Sequence, residues 1–87
     1  MRKDDPLFLI LKLMARNHIC LDDIGIYDTN PCYLHYNKKI FLASINKLDT
    51  NLNYTSFDYK VIIGGNVVDG GTMQGEDLQG YLANFFK

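Results

Sequence analysis

Hydrophobic and polar positions change period along this chain of 87 residues. Between Tyr54 and Ile63, Thr55, Phe57, Tyr59, Val61 and Ile63 alternate with Tyr54, Ser56, Asp58, Lys60 and Ile62. That period of two predicts a strand with one face in a core. Gly64, Gly65 and Asn66 tolerate positive φ and predict a tight turn, after which Val67-Val68 resumes extended structure. Asp69-Gly70-Gly71-Thr72 reads as a hinge. From Glu76 the period becomes helical: Leu78, Tyr81, Leu82, Phe85 and Phe86 form one stripe.

The N-terminal third begins with a second helical segment, residues 4–17. Asp4 or Asp5 supplies a cap, Pro6 suits the first turn, and Ile10 is the one β-branched residue in the run that follows. Lys12 and Arg16 mark a narrow polar face. Leu7, Phe8, Leu9, Ile10, Leu11, Leu13 and Met14 fill the rest, so this helix is either deeply buried or meets something on two sides. Ile24–Tyr27 reads as a short strand or a loop, and Asp28-Thr29-Asn30-Pro31 is a loop by turn chemistry. Tyr33–Tyr36 and Lys39–Asn46 predict a hairpin turning at Asn37-Lys38. In the second of these strands Phe41, Ala43 and Ile45 point one way and Ile40 and Leu42 the other, the signature of a central strand. Residues 49–53 form the most polar loop.

These elements predict a single α+β domain over residues 1–87. An N-terminal helix and a C-terminal helix pack on one face of an antiparallel sheet of three or four strands, giving two layers. Such an arrangement leaves the second apolar direction of the Phe41 strand and of the first helix uncovered. Contiguous apolar surface of that kind marks a docking site, so a partner protein or a homodimer is expected.

Composition narrows the classes. Nine Lys and Arg balance ten Asp and Glu, and the pI near 6.0 argues against a general attraction to nucleic acid or an anionic membrane. Arg2-Lys3 precedes an apolar run that Lys12 interrupts, too short and too charged for an export signal or a membrane span. Two cysteines are too few for a disulfide-stapled secreted scaffold, so reduced thiols and a cytoplasmic location are expected. Asn, Ile, Lys and Tyr together supply one third of the chain, a bias that accompanies AT-rich coding DNA in many bacteria and their phages.

Candidate chemistry changes this picture little. His18, Cys20, Cys32 and His35 are a complete set of tetrahedral zinc donors, but their spacing fits no common finger. In a strand, Cys32 and His35 would also point to opposite faces. A Cys20–Cys32 disulfide is the other use of these thiols. Asp49-Thr50-Asn51-Leu52-Asn53 opens like a calcium loop yet has Tyr54 where Gly is needed and Lys60 where Glu is needed. The two Gly-Gly sites match no phosphate-binding loop, and Glu76-Asp77 would repel an anion at the last helix. No nucleophile, base and orienting group fall into a recognisable constellation, so no enzyme, cofactor or metal is expected.

Tyrosine is the most telling residue type. Its six copies lie mostly beside Asp and Asn, the chemistry of adaptable protein-binding surfaces. The expected function is therefore a small non-catalytic protein-binding module, a regulator or inhibitor of the kind phages and plasmids direct at a host protein or defence enzyme. Tyr27, Asp28, Tyr33, Tyr36, Lys38, Lys39, Asp49 and Tyr54 are the expected contact residues. The alternatives are an accessory protein stacking single-stranded nucleic acid on Tyr33, His35 and Tyr36 beside Lys38-Lys39, or a small zinc protein.

Overall fold

A computed structural model describes residues 5–18, 21–27, 31–48 and 54–87, with the backbone alone at 18, 47–48 and 54–55. Helix α1 spans Pro6–His18. The Asp5 carboxylate accepts the Leu7 N–H at 2.9 Å while the Asp5 carbonyl accepts the Leu9 N–H at 3.0 Å, so Asp5 is the cap and Pro6 the first helical residue. Five strands follow: β1 (Asp23–Ile26), β2 (Cys32–Tyr36), β3 (Lys39–Leu48), β4 (Tyr54–Ile63) and β5 (Asn66–Gln74). A 3₁₀ turn at Gly75–Asp77 leads into α2, Leu78–Phe85.

All strand pairs are antiparallel and the sheet order is the chain order, β1-β2-β3-β4-β5, which makes β3 the central strand. Among the described residues the count is five rather than three or four. Ile24 and its neighbours pair with β2 as a true strand, and the Gly70-Gly71 segment is not a hinge but the middle of β5. Two-residue turns join β2 to β3 and β4 to β5. Asn37 and Lys38 sit at φ 52° and 65°, Gly64 and Gly65 at 61° and 82°, as the right-handed twist of a hairpin demands. Between Val61 and Ile62 the register shifts from Asp69 to Val67, leaving Val68 as the extra residue of a bulge.

The core forms between one sheet face and both helices. Cys32 and Leu34 on β2, Phe41 and Ala43 on β3, Phe57 and Val61 on β4 and Met73 on β5 are buried beneath Leu7, Phe8, Leu11 and Ala15 of α1 and Leu78, Leu82 and Phe85 of α2. Phe41 is the hub, with its ring centroid 5.7 Å from Tyr81, 5.8 Å from Phe85 and 6.1 Å from Tyr59. Among the described residues no polar or charged side chain is buried, and no helix is long and apolar enough to cross a membrane.

Candidate protein-docking face

The register places every second strand residue on the face the helices do not cover. Across the sheet one row runs Asp23, His35, Ile40, Ile62, Val67; the next runs Gly25, Tyr33, Leu42, Lys60, Gly70; the third crosses Ser44, Asp58 and Thr72. The first two rows carry the apolar side chains, half-buried at Ile40, Leu42 and Ile62 and 60% exposed at Val67. The third is polar: the Asp58 carboxylate accepts from Asn46 Nδ2 at 2.9 Å and from Thr72 Oγ1 at 3.0 Å, tying β3, β4 and β5 together. Leu42, Ser44, Asp58, Lys60, Val67 and Gly70 line a shallow groove of about 660 Å³ along this face.

At the β1–β2 end the face becomes aromatic. Tyr27 and Tyr33 stack with centroids 4.5 Å apart and ring planes at 26°, and His35 meets Tyr33 edge-on at 5.3 Å. The Tyr33 ring lies across Gly25, where an added Cβ would fall 2.6 Å from the phenol oxygen. Glycine there lets the hydroxyl pass over β1 and donate to Asp23 Oδ2 at 3.1 Å, while Asp23 Oδ1 accepts the Ile24 N–H at 2.9 Å. Desolvation and this hydrogen bond raise the Tyr33 pKa, so the phenol keeps its proton as donor. Asp22 accepts the Asn37 N–H at 3.1 Å and so holds the β2–β3 turn.

The expected contact residues divide between the two faces. Tyr27 and Tyr33 come together on the open one. Tyr36 lies on the other, edge-on to Phe86 at 5.6 Å. Lys39 is on that side too: its ammonium donates to the carbonyls of Phe85 and, at 3.2 Å, Lys87, and sits 5.0 Å from the Phe85 ring centroid. There its charge offsets the C-terminal end of α2. Lys38 is exposed in the turn, Tyr54 opens β4 by its backbone, and Asp28 and Asp49 lie outside the described residues. Ile40, Leu42, Ile62 and Val67 belong to the face although Tyr-based reasoning passed over them. For Ile40 and Leu42 the signal is the two-sided apolar pattern of β3.

Of the zinc donor set, Cys20 lies outside the described residues, as does the His18 side chain. Cys32 is fully buried under the helices, whereas His35 is on the open face. The alternation of β2 thus separates thiol from imidazole, for chelation and for nucleophilic catalysis alike. Burial, reinforced by Asp5, pushes the Cys32 thiol up to about 12, far from thiolate chemistry. Among the described residues no three His, Cys, Asp or Glu side chains cluster closely enough to hold a metal ion.

A second apolar surface lies on α1. Leu7, Phe8, Leu11 and Ala15 face the core, leaving Leu9 49% and Leu13 58% exposed beside Ile10, with Lys12 and Arg16 flanking them. Among known proteins, no family model matches the chain, and no curated protein or solved structure matches it.

Proposed function

We propose that the chain is a non-catalytic protein-binding module. The observation that supports this is the apolar surface left uncovered in two directions, over Ile40, Leu42, Ile62 and Val67 on the sheet and over Leu9, Ile10 and Leu13 on α1. Solvent-facing apolar rows bordered by Tyr, Asp and Lys have the make-up of a docking surface: an apolar centre, aromatic anchors and a polar rim. Size and balanced charge fit a small cytoplasmic regulator or inhibitor of bacterial or phage origin that blocks a host protein. A nucleic-acid reading is less well supported. The Tyr27–Tyr33 stack is bordered by Asp23, and Lys39 is engaged at the end of α2.

The test is retention from a bacterial lysate on the immobilised chain, with bound proteins identified by mass spectrometry. One retained protein is expected, lost on Leu9→Ser/Leu13→Ser or on Tyr33→Ala/Leu42→Ser, each variant keeping its far-UV circular dichroism. Retention of nothing above the blank resin, or retention indifferent to both variant pairs, would refute the reading.

A further inference from the structure

With two strands on either side of β3, the sheet has an internal symmetry that its open face can use. A two-fold axis lying in that face along β3 sets β2 of one copy over β4 of another, and β1 over β5. We propose that a second copy of this chain packs there, sheet against sheet with the helices outside, forming a homodimer. This rests on reading the uncovered apolar rows as docking surface and names what occupies one of them.

Such an axis keeps each row opposite its own counterpart. Ile40 then faces Ile40 and Leu42 faces Leu42 across the axis, while His35 on β2 faces Ile62 on β4. On the axis apolar therefore covers apolar, flanked by His35 over Ile62 and Asp23 over Val67, and the Ser44–Asp58–Thr72 row stays at the rim. Charge matches as well. Lys60 on β4 shares its row with Tyr33 on β2, so the axis brings its ammonium over the partner's aromatic stack, beside the Asp23 carboxylate.

Overlap is modest. Because β1 and β2 have 4 and 5 residues against 9 and 10 on β5 and β4, the axis superposes about 450 Å² of sheet face per copy at ordinary strand spacing. Two copies bury about 900 Å², below the standard size, which fits weak, roughly submillimolar association. The α1 stripe is a poorer seat for a second copy: Lys12 and Arg16 would meet their own copies, and α1 contains no acidic residue to offset them. In the dimer that stripe stays outward, available to a different protein.

Sedimentation velocity and light scattering on the purified full chain, from about 1 μM to about 1 mM, test the proposal. The mass is expected to rise with concentration from 10.0 kDa towards twice that value. Leu42→Lys, which places two ammonium groups together on the axis, is expected to hold the chain monomeric with unchanged circular dichroism. Lys60→Glu is exposed enough to fold regardless and is expected to weaken association at least about tenfold. Leu13→Lys on α1 is expected to leave it unchanged. Single-chain mass throughout, or association abolished by Leu13→Lys and untouched by Lys60→Glu, would overturn the dimer. Neither result bears on lysate retention, so a failure of the dimer is distinguishable from a failure of the binding-module reading.

Discussion

Tyr81 shows how much one side chain can carry in so small a core. Its ring packs 5.1 Å from Tyr59 and 5.7 Å from Phe41, and its hydroxyl donates to Asp69 Oδ2 at 2.6 Å. Desolvation first, then the hydrogen bond and charge of Asp69, raise its pKa well above the ordinary 10.0. The folded state therefore holds the phenolic proton more tightly than the unfolded chain does. The stability this contributes is complete below pH 10, the unfolded value, and is lost as pH rises towards the folded one. Urea unfolding monitored across the alkaline range should show that loss. Tyr81→Phe should be about 1 kcal/mol less stable at neutral pH and should lose less above pH 10 than the native chain does.

Elements expose the conflict between local preference and pairing. Lys38 occupies the second position of the β2–β3 turn at φ 65°, where a side chain crowds its own backbone and glycine does not. Lys38→Gly should stabilise the fold by about 0.5–1 kcal/mol, raising the midpoint of thermal unfolding by roughly 3–6 °C. An unchanged or lower midpoint in calorimetry would contradict that strain. The same hairpin was plain in the chain, because the strand-forming runs Tyr33–Tyr36 and Lys39–Asn46, the second apolar on both faces, flank a turn-forming Asn37. Both helices and β4 were plain by their period. β1 and β5 were not, because glycine there serves a neighbour rather than a bend. Gly25 makes room for the Tyr33 ring, and a Cβ on Gly70 would come within 3.1 Å of the Tyr59 carbonyl oxygen. Of the candidate docking face, Tyr27 and Tyr33 were legible as residue types. Adjacent positions such as Lys38 and Lys39 were not separable until alternation sent Lys39 to the end of α2.

At the scale of the whole molecule, one aromatic cluster joins both strand halves to α2. Phe41 is fully buried at its centre, and truncation of such a residue costs about 3–5 kcal/mol. A domain of this length has only about 4–13 kcal/mol in total. Phe41→Ala should therefore leave a measurable unfolded fraction at 37 °C, seen as a broadened, lowered thermal transition. Retention of the native midpoint would place the centre of the core elsewhere. The bulge at Val68 has a different kind of consequence. It turns the Asp69 carboxylate inward at the outermost strand, where Tyr81 holds it, and breaks the regular spacing of that strand's outer backbone groups. At the opposite border β1 offers only four residues and begins with Asp23. Both borders are thus poor templates for an incoming strand. Strand-by-strand growth of the sheet is thereby disfavoured at both borders.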